Sequence, residues 1–300
     1  MSSNTNTGKV TNLPTAPSKT QTAKEIIAAN VQVLIEQLGA GHSEALTAYL
    51  TAMGRFPKYS LGNILEIARQ RPDATRVAGL YAWNQLGRKV IKGQKGIRIL
   101  APVIGMRKKK DGEAEEEHNQ PALVGFRTAY VFDVSQTEGA ELPKLSEHVR
   151  GSVGENCERL MDFIAAQGIE LEFNERIAPA LGMSYGGRIA ILPGLAAAEN
   201  FSTLVHELAH EMLHKTGRRT ATTKTVRETE AEAIAFVVGS SIGLDNGHAS
   251  ANYIHLYNGS AALLAESLEV IQRTSAVILA AIEPPATEQP EPAPALAQAV

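Results

Sequence analysis

Apolar positions recur at helical spacing near the start of the chain. Ile26, Ile27, Val31, Leu34, Ile35 and Leu38 share one face, with Thr22 placed to cap that helix and Gly39 to stop it. A second helix is predicted from Ser43, and a third from Ser60 that ends before Pro72. After Trp83 the period shortens. Val90, Ile97, Ile99, Leu100 and Val103 alternate among Gly93, Gly96 and Pro102, the pattern of strands joined by tight turns. Residues 108–117 place a lysine block against an acidic block and read as an exposed hairpin tip. Leu123 to Val134 is the returning strand, with Phe126, Tyr130 and Phe132 on one phase.

A polar stretch with Gly139 and Pro143 follows and reads as a linker. Beyond it the pattern predicts a helix to Gln167, short strands at 169–173 and 188–192, and helices near 198–215, 225–242, 249–258 and 260–282. The fold class expected is α+β. Its N-terminal half has helices with a small antiparallel sheet, and its C-terminal half is a second α+β unit. The organisation expected is a disordered tail over 1–21, one module over 22–137, a linker over 138–149, a second module over 150–282 and a Pro/Ala-rich tail over 283–300. Neither tail carries enough apolar residues to offset the entropy of ordering.

Charge refines this picture. The net charge is only −3, yet from Arg55 to Lys110 there are 14 Lys and Arg against Glu66 and Asp73 alone. Such a local excess points to an acidic partner, nucleic acid first. The single cysteine, Cys157, excludes an internal disulfide and fits a reducing cytoplasm. The polar N-terminus lacks the apolar core of a signal peptide. No run of about 18 apolar residues exists to span a membrane. A cytoplasmic protein without membrane contact is expected.

The sharpest chemical signal is His206-Glu207-Leu208-Ala209-His210. Residues four apart lie on one helical face, so His206 and His210 aim two imidazoles at a common point. Zinc accepts imidazole nitrogen, wants about four ligands and lowers the pKa of a bound water to about 7. Glu207 can take that water's proton and pass it to a leaving amine. The helix is apolar around the motif through Phe201, Leu204, Val205, Leu208 and Met212, which buries these polar groups and demands partners for them.

A third protein ligand is sought in the next helix, where an apolar run carries Glu228, Glu230 and Glu232. Glu228 and Glu232 are four apart and share a face. Glu228 is assigned as the ligand and Glu232 as the acceptor for an imidazole N–H that fixes the ring's tautomer. Spacing alone leaves those two roles exchangeable. His214 lies about 12 Å from His206 along the axis, too far to share one ion, and reads as a rim or structural histidine. The longer HExxHxxGxxH pattern is absent, because Leu213 and Thr216 stand at its glycine and third histidine.

The basic segment carries a second constellation. Arg88, Lys89, Lys92, Lys95 and Arg98 crowd a strand–turn–strand, with Tyr59, Tyr81, Trp83, Tyr130 and Phe132 near in sequence. Cations that track a backbone, with rings that stack bases, make a single-strand-binding surface. The same rings could instead fill a core, Trp83 above all. No zinc-finger or RNP signature is present, so sequence readout is not expected.

Two resemblances follow from these residues. Residues 206–238 resemble the ImmA/IrrE-like metallopeptidases, which pair HExxH, often followed by Leu-His as at Leu213-His214, with E-x-x-A-[N/D]-x-x-A. Here that motif reads Glu228-x-x-Ala231-Glu232-x-x-Ala235. The likeness implies a zincin-like, gluzincin-type domain with Zn2+ on His206, His210 and Glu228, and Glu207 as general base. A strand such as 188–192 would align a peptide by edge pairing.

Residues 22–137 resemble the N-terminal domain of ArdC antirestriction proteins. The likeness runs through Tyr59-Ser60-x-x-Asn63, Trp83-x-x-x-Gly87-Arg88, Lys92-Gly93-x-Lys95-Gly96-Ile97 and Tyr130-x-Phe132-Asp133. That family joins a single-stranded-DNA-binding domain to a zincin-type peptidase domain. The function expected is a zinc metallopeptidase coupled to single-stranded DNA, acting on a protein or peptide substrate in antirestriction or protection of incoming mobile-element DNA. Two alternatives stand beside it: a non-catalytic DNA-shielding protein with a structural zinc, and a regulatory peptidase that cleaves a repressor.

Overall fold

The computed structural model describes residues 23–39, 44–106, 121–141, 153–215, 217–244 and 260–284. The expected N-terminal tail, residues 285–300 of the C-terminal one, the Thr22 cap, the hairpin tip at 108–117, linker residues 142–149 and the helix expected at 249–258 lie outside the described residues.

Three helices open the chain: α1 (Ala23–Gly39), α2 (Glu44–Arg55) and α3 (Leu61–Gln70). Their apolar stripes bury Leu34, Leu46, Leu50, Ile64 and Leu65. Ser60 stands at the N-cap of α3, but its side chain makes no capping bond; only its carbonyl starts the helical ladder, at Ile64 N–H. Next come β1 (Val77–Ala78), α4 (Leu80–Gln85), β2 (Arg88–Val90), β3 (Ile97–Met106), β4 (Pro121–Asp133) and β5 (Thr137–Gly139). They pair antiparallel, in the order β1-β4-β3 and, separately, β2-β5.

The outer edge of β3 would leave backbone groups unpaired, and α3 covers it. Asn63 exchanges hydrogen bonds with the backbone N–H and carbonyl of Leu100, and Gln70 does the same with Arg98. Two side-chain amides thus do the work of a neighbouring strand.

The C-terminal part contains α5 (Val153–Ala166), β6 (Glu170–Phe173), β7 (Gly182–Ser184), β8 (Arg188–Ile191), α6 (Ala197–Leu213), α7 (Gly217–Ala221), α8 (Lys224–Ser241) and α9 (Ala261–Ile282). The sheet order is β6-β8-β7, with β8 parallel to β6 and antiparallel to β7. Ile189, Ala190 and Ile191 are wholly buried, as the continuous apolar run of a central strand requires. The fold is α+β, with helices and small sheets.

Two details depart from expectation. Residues 138 and 139, placed in the linker by composition, belong to β5, where Gly139 pairs with Arg88 at a φ of 129° that favours glycine. One apolar core also runs from α1–α3 through α6, α8 and α9. Ser241 on α8 donates to the Gly54 carbonyl on α2, and Gln272 on α9 donates to the Tyr59 carbonyl. No helix among the described residues is long and apolar enough to cross a membrane.

Candidate metal centre and nucleic-acid face

Helix α6 buries Phe201, Leu204, Val205, Leu208 and Ala209, which fixes its rotation and turns His206 and His210 to the opposite side. Helix α8 packs against α6. Ala231, Ala233 and Ala235 on α8 are small and buried, so its backbone can come close. Thr223 caps α8 by accepting from Val226 N–H, which sets the start of the helix and the phase of its carboxylates.

The histidine Nε2 atoms lie 3.1 Å apart. Glu228 Oε2 stands 3.5 Å from His206 Nε2 and 3.4 Å from His210 Nε2. Zinc bonds of about 2.0–2.1 Å at tetrahedral angles would separate neighbouring ligand atoms by about 3.3–3.4 Å. The three donors are therefore spaced as a small divalent cation needs, and two imidazoles with one carboxylate are chemically suited to it. Glu232 takes the other side of His206, with Oε2 3.6 Å from Nδ1. The roles that spacing left exchangeable are thus distributed in space: Glu228 faces both metal-facing nitrogens, and Glu232 faces the back of one ring.

Charge states follow the same geometry. Burial works against a proton on His206, but bonding to Glu228 and Glu232, with Glu207 near, outweighs it and raises the imidazole to about 9. Burial and the charge of His206 push His210 down to about 4. The His206 bond, against burial and with help from His210, holds Glu228 down to about 2. The geometry thus favours one proton on this pair of rings, held by His206 between Glu228 and Glu232. Burial raises the Glu207 carboxyl above its ordinary range, which makes it a better proton acceptor.

Strand β7 runs close over Glu207. A Cβ on Gly182 would sit 2.7 Å from Glu207 Cγ and 2.7 Å from Thr203 Cγ2, so only glycine permits this approach. The strand expected to offer an edge, 188–192, is β8, and it is paired on both sides. The edge strand beside the histidines is β7 instead. Glu211 anchors it by accepting from Ser184 Oγ and from the N–H groups of Gly186 and Gly187, at 2.7 Å each for the backbone bonds. Gly186 and Gly187 have φ of 80° and 109°, which lets both amides turn toward one carboxylate.

These elements enclose a cleft of about 1230 Å³ containing His206, Glu207, His210 and Glu228. Small-molecule sites need about 300–1,000 Å³, so an extended segment fits. Lys215, Arg219, Lys224 and Arg227 also line it. Lys215 is paired with Glu211 at 2.8 Å, and Arg227 donates to the carbonyls of Arg219 and Thr222. Among the described residues no carboxylate pairs with Arg219 or Lys224.

Of the two readings of His214, rim or structural, its burial fits the structural one. His214 is 2 % exposed and bonds ring to ring with His210, Nδ1 to Nδ1 at 2.8 Å. Its Nε2 meets Glu230 Oε2 at 3.1 Å. Glu230, the carboxylate of the α8 run to which the sequence reading gave no role, also accepts from Arg218 and from Ser267 Oγ. Burial alone would raise Glu230, but those bonds prevail and lower it to about 2. Glu230, Glu211 and Arg218 were not singled out from the sequence. The i, i+2 offset of Glu230 from Glu228 was the available signal, since it sends one carboxylate inward when the other faces the cleft.

The basic candidates separate into two groups. Trp83 is fully buried and donates to the Phe132 carbonyl at 2.9 Å, so its ring is not available to stack on a base. Asn63 is committed to β3. Arg88 bonds Thr137 and the Ala140 carbonyl, Arg98 pairs with buried Glu66 at 3.2 Å, and Tyr59 packs on the core with its hydroxyl on the Val77 carbonyl. Lys89, Lys92, Lys95 and Tyr130 are exposed. Tyr130 lies against Gly96, next to Lys95. Tyr81, one of the rings near the basic residues, exposes 75 % of its surface, and Phe126 on β4 exposes 54 %.

Residues 19–132 match the family model of the N-terminal domain of anti-restriction factor ArdC. No curated protein matches the chain. Among solved structures, the metal-free antirestriction ArdC protein from plasmid R388 is similar in fold. It has a TM-score of 0.52 and 18 % identity, over 85 % of this chain and 96 % of that one. The Mn(II)-bound form of the same protein matches with a TM-score of 0.50 and 17 % identity, over 88 % of this chain and 99 % of that one.

Proposed function

We propose that this protein is a divalent-metal-dependent peptidase carried on a single-stranded-DNA-binding module, serving antirestriction as the ArdC relative's description has it. The observation that carries the reading is the convergence of His206 Nε2, His210 Nε2 and Glu228 Oε2 within 4.8 Å of one another, in a cleft that also holds Glu207. Zinc is the ion proposed from the nitrogen-rich donor set, and the Mn(II) bound by the relative supports a divalent cation. Bound there, the cation would act as a Lewis acid and make water nucleophilic near neutral pH.

The chain's own residues supply the remaining work. Glu207 accepts the proton of the attacking water and delivers it to the leaving amine, a task that its raised carboxyl suits. The edge of β7, paired with no second strand among the described residues, aligns an extended peptide by backbone pairing, and Glu211 keeps that edge in place. Arg219 and Lys224, without acidic partners among the described residues, favour a segment rich in Asp and Glu. In the N-terminal half, Tyr130 with Lys89, Lys92 and Lys95 forms the accessible part of a stacking and phosphate-tracking face.

The test is Glu207→Gln. It should retain metal and DNA binding and lose cleavage of an acidic peptide substrate by a factor of about 10²–10⁴, the usual contribution of a general base. Cleavage at the parent rate would overturn the mechanism. Antirestriction retained without cleavage would favour the non-catalytic DNA-shielding reading.

A further inference from the structure

We infer that Glu230, acting through His214, is a positioning residue that holds His210 in the tautomer able to bind metal. The inference rests on the metal-centre reading above and adds an assignment to it. Glu230 accepts every bond it makes: Arg218 reaches both of its oxygens, at 2.9 Å from Nε to Oε2, and Ser267 Oγ donates to Oε1 at 2.6 Å. A carboxylate so placed accepts a hydrogen bond from its remaining neighbour, so His214 carries its hydrogen on Nε2, 3.1 Å away. With its hydrogen on Nε2, the His214 ring presents a lone pair at Nδ1. His210 Nδ1, 2.8 Å from it, must be the donor. The hydrogen of His210 is thereby fixed on Nδ1, and its Nε2 lone pair is left facing His206 and Glu228.

The middle of this chain of contacts lies out of water. Glu230 is 0 % exposed, His214 2 % and Ser267 0 %. It also crosses several elements: His210 comes from α6, Arg218 from α7, Glu230 from α8, and Ser267 with Glu266 from α9. Arg218 ties its other end to Glu266 at 2.6 Å, which holds the guanidinium in place against the carboxylate. The tautomer of one ligand is therefore set by the packing of four helices.

The direction of the hydrogen bonds gives a specific test. His214→Asn places a carbonyl oxygen where Nδ1 stands and can still accept from His210. His214→Phe keeps a flat ring and offers no acceptor. Glu230→Gln presents an amide N–H that can donate to His214 Nε2, which reverses the chain and moves the His210 proton to the metal-facing nitrogen. Zn(II) affinity is measured on the full-length protein by competition with a chromophoric chelator, and the Co(II) form is followed by its visible absorption. Circular dichroism and metal-free melting monitor the fold.

Loss of such a supporting contact costs about 10–100-fold in metal affinity. The expected result is that loss for His214→Phe and Glu230→Gln, with His214→Asn within a few-fold of the parent and showing the parent Co(II) spectrum. Parent affinity in a folded His214→Phe, or an Asn variant as weak as Phe, overturns the inference. Should His214→Phe not fold, Glu230→Gln against His214→Asn decides in the same way. A parent protein that takes up no metal would instead remove the underlying reading, and the two failures are thus told apart.

Discussion

The hydroxyl of Ser241 donates to the backbone carbonyl of Gly54 across a gap of 2.7 Å, joining α8, which carries the candidate ligand Glu228, to α2 of the basic half. The contact depends on glycine. A Cβ at position 54 would sit 2.8 Å from Ser241 Oγ and 3.0 Å from the Val237 carbonyl.

Gly54→Ala should therefore destabilise the protein by about 1–3 kcal/mol through overpacking. Urea unfolding followed by tryptophan fluorescence, which reports Trp83, and by metal release should give coincident transitions, since one core serves both ends of the chain. An unshifted midpoint, or two separated transitions, would count against this packing.

Metal binding should release protons. Between pH of about 4 and about 9, His206 is protonated and His210 is neutral, so binding must displace about one proton per ion. The logarithm of the apparent affinity should rise by about one per pH unit across that window and level above it. Below about pH 4 the slope should steepen as His210 also protonates. A calorimetric titration in buffers of different ionisation enthalpy counts the protons, and a count near zero at neutral pH would contradict the His206–Glu228 pairing.

Acid should loosen the network behind the histidines. The folded-state pKa of Glu230, about 2, lies below its ordinary 4.5. Its contribution is therefore fully present above about pH 4.5 and is lost as pH falls toward 2. That contribution is on the order of 3 kcal/mol. Thermal midpoints between pH 6 and 2 should fall steeply in the parent and less steeply in Glu230→Gln, which starts lower. Equal slopes would show that another carboxylate dominates.

The nucleic-acid face makes separate demands. Replacing Lys89, Lys92 and Lys95 together by Ala should reduce the salt dependence of single-stranded-DNA binding by about two in log–log slope. Tyr130→Ala should cost about 1–3 kcal/mol of affinity. Trp83→Phe should lower stability, because it removes the indole bond to the Phe132 carbonyl, while leaving the affinity of the folded protein unchanged. Fluorescence anisotropy at several salt concentrations distinguishes these effects, and a Tyr130→Ala variant that binds as the parent does would remove that ring from the surface.

The sequence revealed most where periodicity and chemistry coincide. His206 and His210 are one turn apart on a strongly apolar helix, so their common direction could be read directly. Glu228 and Glu232 were likewise placed on one face, but which of them meets both Nε2 atoms depends on the offset between α6 and α8, and that is a matter of packing. His214 was judged too far along the axis to be a ligand, which its Nδ1 contact with His210 agrees with. Its burial and its bond to Glu230 required knowing that α7 and α9 close over that side. The edge strand was misassigned because β7 is only Gly182–Ser184, too short for an alternating pattern. Among the basic candidates, charge identified Arg88 and Arg98 but could not reveal Thr137 or Glu66 waiting for them.

The central claim is a divalent-cation centre made by His206, His210 and Glu228. Titrating Zn(II) into metal-stripped protein tests it most directly. One equivalent should bind tightly to the parent, His206→Ala and Glu228→Gln should each bind far more weakly, and Glu232→Gln should lose less than Glu228→Gln. Undiminished stoichiometric binding by Glu228→Gln, or no binding by the parent, would contradict the account.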